Sequence, residues 1–224
     1  MEVESRDSVS LKPAELDELG QLLAATGSPE ADGLLETQVE RFALVATITS
    51  DNELHGFLFS SLERVGGTPC ILWGAGAAKR GRNAGPAVRA MVGELYRRAA
   101  ISFPDEDVLV AGRLAHPAGY TLLTVLDDVV PRVGYTPTGE ERAWGRRLAR
   151  RFGCDGHYDD RQFRVGPNGG AAPILDASSV KGGTKAATEL LADIDHTRGE
   201  SLIVFGWAGA EKLADELAAF GRPA

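Results

Sequence analysis

Three segments rich in β-forming residues follow one another closely in the first half of the chain, and this pattern constrains the fold more than any other. They cover residues 42–49, 54–65 and 70–73. The short stretches between them contain Gly, Pro, Asn and Asp, which favour tight turns. Because turns this short join antiparallel neighbours, the pattern predicts a three-stranded antiparallel meander.

Helical periodicity appears on both sides of this meander. Apolar residues recur at helical spacing over residues 11–25 and, more weakly, over 29–39, and they do so again over 86–101 and 117–126. A short apolar run at 108–111 indicates a buried strand between the last two helices. The first part of the chain is therefore expected to be an α/β (α+β) structure.

The pattern becomes looser after residue 136. The predicted elements there are helices over 140–152, 184–194 and 208–220, strands over 162–165 and 202–205, and a loop over 167–183. We therefore divide the chain into a core, residues 1–136, and an appended C-terminal α/β region, residues 137–224. Whether that region is a small second unit or packs on the core as one domain stays open.

Composition excludes several classes of protein. The 224 residues include 24 basic and 32 acidic side chains, a net charge of −8, which opposes nucleic-acid binding by bulk charge. No apolar run is long enough to span a membrane, and the acidic N-terminus does not resemble a signal peptide. The two cysteines are too few for a disulfide framework or a cysteine-based zinc site. We expect a cytoplasmic protein with no metal, no membrane and no nucleic-acid partner.

A loop rich in small and basic residues connects the meander to the helix over 86–101. It contains Lys79, Arg80 and Arg82 among glycines and alanines. Small residues let a ligand approach the backbone, and the unpaired N–H groups at a helix start favour an anion such as a pyrophosphate. The spacing fits neither a P-loop nor a dinucleotide-binding glycine motif.

The segment Arg80-Gly81-Arg82-Asn83-Ala84-Gly85 resembles the acetyl-CoA loop of the GCN5-related N-acetyltransferase (GNAT) family. The family pattern is Gln/Arg-x-x-Gly-x-Gly/Ala, between the fourth strand and the third helix. The sequence matches at Arg80 and Gly85 and departs at Asn83, where the family usually has glycine. Asparagine tolerates left-handed backbone better than most residues. The resemblance covers roughly residues 8–136 and implies a mixed, largely antiparallel sheet flanked by helices, of the acyl-CoA N-acyltransferase type.

The resemblance also implies a reaction and a set of site residues. Acetyl-CoA or another acyl-CoA would be the co-substrate, a small primary amine the acceptor, and backbone N–H groups would polarise the thioester. The pantetheine arm would lie near Trp73, Gly74 and Ala75. The phosphates would lie against Lys79, Arg80, Gly81, Arg82, Asn83, Ala84 and Gly85. Tyr120, in a region that resembles the family's Asn-x-x-Ala-x-x-x-Tyr segment, would donate a proton to the leaving thiolate.

The base that takes the proton of the amine is predicted from position alone, as Glu63 near the end of the long strand. Two alternatives to an enzyme stay open: a non-catalytic module that keeps the fold, and a protein whose loop binds another phosphate ligand. A homodimer is possible in each case.

Overall fold

The computed structural model describes residues 1–25, 33–169, 175–176 and 185–220. Within these ranges the strands are β1 (Glu2–Asp7), β2 (Leu44–Ser50), β3 (Glu53–Val65), β4 (Thr68–Ala78), β5 (Val108–Leu114), β6 (Asp127–Val130), β7 (Tyr158–Asp159), β8 (Arg164–Val165), β9 (Leu175–Asp176) and β10 (Ser201–Ala208). The helices are α1 (Pro13–Ala25), α2 (Leu34–Arg41), α3 (Ala84–Ser102), α4 (Pro117–Leu123), α5 (Gly139–Arg151), α6 (Lys185–Leu190) and α7 (Ala210–Phe220). From α1 to α4 the order of elements is the one that the sequence predicts.

The strands join one sheet in the order β1-β2-β3-β4-β5-β10-β8-β7, with β6 beside β10 and β9 beside β4. Neighbouring strands run antiparallel except for the pairs β4–β5 and β4–β9, which run parallel. The predicted fold class, a mixed and largely antiparallel sheet flanked by helices, is confirmed.

Both faces of the sheet are buried. Successive side chains of a strand point to opposite faces, so the apolar strands supply a core on each side. The core on one face takes side chains from α3, α4, α6 and α7, including Val88, Leu123, Ala187 and Leu213. The core on the other face takes side chains from α1, α2 and α5, including Leu19, Leu35 and Leu148.

β10, from the C-terminal region, is an interior strand of this sheet. It pairs with β5 along its length, from Leu202 opposite Leu114 to Ala208 opposite Val108. β5 therefore has β4 on one side and β10 on the other. The domain boundary at residue 136 stays a prediction, but the sheet that contains the predicted core also contains β10.

The largest departure from the sequence prediction concerns β4. The sequence predicts that the strand ends at residue 73 and that residues 74–85 form a loop, which is wrong for 74–78 because β4 continues to Ala78. Glycine and alanine have low intrinsic strand propensity, so the residue types hide the strand. Pairing with β3 holds this stretch in place. The loop is thereby limited to residues 79–83.

The sequence also fails to predict β1 and β6, which are short and partly charged. The predicted helix over 29–39 corresponds to α2, and residues 29–32 lie outside the described residues. The predicted loop over 167–183 lies partly outside them as well, and its residues 175–176 form β9 instead.

Candidate functional site

A wedge between β4 and β5 is the central feature of the candidate site. The two strands pair in parallel as far as Trp73 and Gly112. Beyond that point β4 continues beside β3, whereas β5 continues beside β10, so the strands separate. We call the opening between residues 74–78 of β4 and 113–114 of β5 the wedge. The edge of β4 that faces it offers backbone hydrogen-bonding groups.

β4 contains an extra residue where the wedge opens. Leu58 of β3 lies opposite Gly76 of β4, and Ser60 of β3 lies opposite Trp73 of β4. A step of two residues along β3 therefore corresponds to a step of three residues along β4. This offset places a β-bulge at Gly74–Ala75. A bulge disrupts the local ladder and leaves its extra residue outside the regular pairing.

The N–H of Ala75 at this bulge is bound by a side chain from α2. It donates to Oε1 of Gln38 over 2.8 Å, and Gln38 is 3% exposed. Gly74 is required by the same close approach, because a Cβ there would lie 2.6 Å from Oε1 of Gln38 and 2.8 Å from the Phe42 ring. A backbone N–H held in this way could equally polarise the carbonyl oxygen of a bound thioester.

Residues 79–83 form the turn between β4 and α3. Gly81 has a φ of +144°, a conformation that favours glycine. Asn83 has a φ of −90° and lies in the right-handed region. Asn83 therefore does not use the left-handed conformation that asparagine tolerates, and it introduces no backbone strain.

The first turn of α3 leaves one N–H group for a ligand. Ala84 and Ala87 donate to carbonyl oxygens of residues 81 and 83, and Pro86 has no N–H. Within the described ranges the N–H of Gly85 has no protein acceptor. Since α3 is 19 residues long, its dipole favours an anion at this end.

Positive charge surrounds this helix start. Arg80 and Arg82 belong to the turn, and Arg82 is exposed. Arg89, one turn into α3, also contributes, because its Nη1 lies 3.5 Å from the position of a Cβ at Gly85. The structure thus brings three guanidinium-bearing residues to the turn and the first turns of α3.

Lys79, which the sequence assigns to this group, interacts with β3 instead. Its Nζ lies 2.9 Å from Oε2 of Glu53, and its backbone N–H donates to the carbonyl oxygen of His55 over 2.7 Å. Both partners of the ion pair are half-exposed or more, so the pair adds little stability.

Glu63 does not lie at the wedge. It is opposite Cys70 in the β3–β4 register, three residues from the position opposite Trp73, which is roughly 10 Å of strand. Its carboxylate accepts hydrogen bonds from Nε and Nη2 of Arg151 at 2.6 and 2.8 Å. The role of Glu63 as the base stays a prediction.

Tyr120 lies on α4, directly after β5. The side chain is 5% exposed and belongs to the same core cluster as Trp73. Its hydroxyl donates to the carbonyl oxygen of Pro131 over 2.9 Å, and burial raises the pKa of the phenol. The hydroxyl is therefore protonated at neutral pH, but its proton is held by Pro131, and the role of Tyr120 as the donor stays a prediction.

The cysteines are buried thiols. Burial raises the pKa of Cys70 to about 11 and also raises that of Cys154. In the described part of the chain, no group of three or more His, Cys, Asp or Glu residues is arranged to hold a metal ion. Among the helices that the structure describes, none has the length and apolar character needed to cross a membrane.

Three features of the site are absent from the sequence prediction. Arg89 follows Gly85 by four residues, so helical periodicity could have identified it. Gln38 is 37 residues from Ala75, and no local signal links them. β9 lies in the wedge, where Leu175–Asp176 pairs in parallel with Gly76 and Ala77 of β4.

The sequence matches no family model and no curated protein sequence. Similar solved structures include the aminoglycoside 6'-N-acetyltransferase from Enterococcus faecium, with 18% identity, a TM-score of 0.40, and coverage of 50% of this chain and 61% of that enzyme. The matched part of the chain thus spans less than two thirds of that enzyme.

Two further solved structures are similar to this chain. A GNAT family acetyltransferase from Brucella melitensis, solved in complex with acetyl-CoA, is 13% identical, with a TM-score of 0.36 and coverage of 49% of this chain and 75% of that one. The ribosomal-protein-S18-alanine N-acetyltransferase from Escherichia coli is 12% identical, with a TM-score of 0.42 and coverage of 62% and 86%.

Proposed function

We propose that this chain, which has the fold of the GCN5-related N-acetyltransferases, binds an acyl-CoA thioester at the wedge and transfers the acyl group to a primary amine. The observation that carries the proposal is the coincidence of the wedge with the bulge in β4. The edge of β4 that β5 leaves unpaired beyond Trp73 could form hydrogen bonds with an extended amide chain, such as the pantetheine arm, in place of β9. The bulge at Gly74–Ala75 offers an N–H to a carbonyl oxygen.

The turn after β4 supports the same ligand. A chain that runs along the edge of β4 toward Ala78 reaches residues 79–83 and the start of α3. There Arg89 lies beside Gly85, and Arg80 and Arg82 belong to the turn that precedes it. This arrangement suits a pyrophosphate. The wedge and the anion site therefore follow one another along β4 in the same order as the pantetheine arm and the pyrophosphate of a CoA ester.

The reaction requires no covalent enzyme intermediate. The amine nitrogen attacks the thioester carbonyl carbon, a C–N bond forms, and the C–S bond then breaks. The amine loses a proton to a base, directly or through water; Glu63 remains the candidate from the sequence, although its carboxylate binds Arg151 outside the wedge. The thiolate gains a proton from an acid, for which Tyr120 is the candidate. The N–H of Ala75 would stabilise the negative charge that develops on the carbonyl oxygen.

A second candidate function has support from specific contacts. Gln38 already occupies the N–H of Ala75, and β9 already pairs with the edge of β4. A wedge that stays closed in this way would make the chain a non-catalytic module with an acetyltransferase-like fold. The two candidates differ in whether any CoA ester enters the wedge.

Acetyl transfer can be tested directly. The full-length protein is incubated with acetyl-CoA and a panel of primary amines, and both released thiol and the acetylated amine are quantified by mass spectrometry. The proposal predicts equal amounts of thiol and amide, and slower turnover in Glu63→Gln if Glu63 is the base. Absence of both acetyl-CoA binding and transfer to any amine would favour the module instead.

A further inference from the structure

We propose that the chain fills its own acyl-CoA groove: strand β9 occupies the edge of β4 that the pantetheine arm needs, so that acyl-CoA binds only when β9 leaves. The inference rests on the proposed function. It assigns to part of the C-terminal region, residues 137–224, the role of an intramolecular competitor for the co-substrate.

The register of the sheet supports this assignment. β5 pairs with β4 only as far as Trp73, and β9 pairs with the same strand at Gly76 and Ala77. β3 holds the opposite edge of β4 at these positions. β5 and β9 are therefore successive neighbours on one edge, and β9 fills the wedge that the departure of β5 creates.

Neighbouring packing holds β9 near the wedge. Both β9 and α6 contact α4. α6 is well anchored, because Ala187 is fully buried and Leu191, just after the helix, is 5% exposed in the core beneath it. Since the contacts of α6 with α4 do not involve β4, release of β9 from the edge of β4 would leave those contacts in place.

Gln38 occupies the part of the wedge that β9 does not cover, at the bulge in β4. Its carboxamide oxygen accepts the N–H of Ala75, which is the group that a thioester carbonyl oxygen would need. Gln38 and β9 thus satisfy adjacent parts of β4, the bulge and the strand beyond it. The carboxamide of Gln38 resembles the thioester carbonyl, and β9 resembles an extended amide chain such as the pantetheine arm.

The competition between β9 and acyl-CoA is expected to be moderate. A strand of two residues forms few hydrogen bonds, so the open state should be a minor but accessible one. If the open state is about 10% populated, complete release of β9 tightens the apparent dissociation constant about tenfold.

The first test removes the hydrogen-bonding capacity of β9. The variant Leu175→Pro/Asp176→Pro lacks both backbone N–H groups of the strand. It should bind acetyl-CoA and free CoA about tenfold more tightly than the wild type in isothermal titration. Leu175→Ala/Asp176→Ala is the matched control, since it changes the same side chains and keeps both N–H groups, and it should bind more weakly than the proline variant.

A disulfide between β4 and β9 that can be formed and reduced, here called the lock, tests the effect of holding β9 in place. Ala77 and Asp176 are register partners, and adjacent strands lie at a spacing compatible with a disulfide. Ala77→Cys/Asp176→Cys should bind acetyl-CoA when reduced and lose binding when oxidised. The single variant Ala77→Cys should show no such redox dependence.

Gln38 is tested by the difference between two ligands. Gln38→Leu releases the N–H of Ala75, which only the thioester carbonyl can use. It should therefore improve binding of acetyl-CoA relative to free CoA, whereas the proline variant improves both alike. Melting curves establish that each variant is folded.

The outcomes separate this inference from the proposed function. Equal affinity of the wild type, the proline variant and both redox states of the lock would overturn the role of β9 and leave acyl-CoA binding intact. Failure of every folded form to bind acetyl-CoA or CoA, the reduced lock and the proline variant included, would overturn the proposed function, and the inference with it.

Discussion

Three glycines around the site, Gly74, Gly81 and Gly85, differ in the physical reason that favours glycine at each position. Gly74 is needed because Gln38 and Phe42 approach its backbone closely, whereas Gly81 is needed for its positive φ. Gly85 has neither constraint, because it lies in the first turn of α3 and a Cβ there would make only ordinary contacts with Arg89. In the proposed function, Gly85 would contribute its N–H and the space that a side chain would otherwise fill.

Substitutions at Gly85 should separate stability from ligand binding. Gly85→Ala should stabilise the protein by about 0.5–1 kcal/mol, because alanine is the better helix former. Gly85→Asp should fold, since acidic residues suit a helix N-terminus, but its carboxylate would pair with Arg89 and repel a phosphate. We expect the dissociation constant of CoA to rise on the order of tenfold in titration. Unchanged affinity of a folded Gly85→Asp protein would place the anion elsewhere.

Tyr120 can be tested without disturbing the packing around it. Tyr120→Phe removes the hydrogen bond to Pro131, at a cost of about 1 kcal/mol in the free energy of unfolding. If the hydroxyl protonates the thiolate, kcat should also fall on the order of a hundredfold while the affinity for acetyl-CoA is kept. A loss of stability with unaltered turnover would show that the hydroxyl serves packing alone.

At the scale of elements, α3 matters most, because its start is the proposed anion site. The helix is anchored on its side by Glu94, which is 8% exposed and accepts hydrogen bonds from Arg97 at 2.6 Å and Arg98 at 3.2 Å. Arg98 in turn donates to the carbonyl oxygen of Ser5 on β1. The network thus connects α3 to the edge of the sheet.

This network should make stability depend on pH. Burial alone would raise the pKa of Glu94, but Arg97 and Arg98 hold that pKa below its ordinary value. A lowered pKa in the folded state stabilises the protein above the unfolded pKa, near 4.5, and the benefit is lost as the pH falls through the folded value. Glu94→Gln should therefore be less stable by about 1–2 kcal/mol at neutral pH, and the gap to the wild type should narrow in acid.

Melting temperatures recorded from neutral pH to about pH 3 check this prediction. Glu106→Gln is the matched control, because Glu106 pairs with Arg64 at the exposed surface and should contribute little. A constant gap between Glu94→Gln and the wild type at every pH would contradict the assignment.

The boundaries of α3 and β4 show how much of the structure can be predicted from the sequence. The sequence predicts the start of the amphipathic helix α3 to within two residues, because the apolar face of the helix has clear periodicity. The sequence predicts β4 only to residue 73, because residues 74–78 become a strand through pairing with β3 and not through their own propensity. The bulge and the wedge lie in that missed stretch, so the sequence could identify the loop but not the groove that leads to it.

At the scale of the whole molecule, charge is distributed unevenly. The chain carries a net charge of −8, yet Arg80, Arg82 and Arg89 lie together at the start of α3. Overall charge therefore does not indicate this local cluster of arginines, whereas the sequence at residues 80–85 contains two of the three. The contacts of Gln38 and β9 with β4 arise only when distant segments meet in one sheet, and no local pattern could have predicted them.

The most direct test of the account is isothermal titration of acetyl-CoA into the full-length protein and into Leu175→Pro/Asp176→Pro. Each is compared with a form that also carries Arg80→Ala/Arg82→Ala. Arg161→Ala/Arg198→Ala is the matched control, because both arginines are exposed, outside the site, and change the net charge equally. The account predicts saturable binding that is tighter in the proline variant, weakened by the change at Arg80 and Arg82, and unaffected by the control. No heat from either folded protein would contradict it.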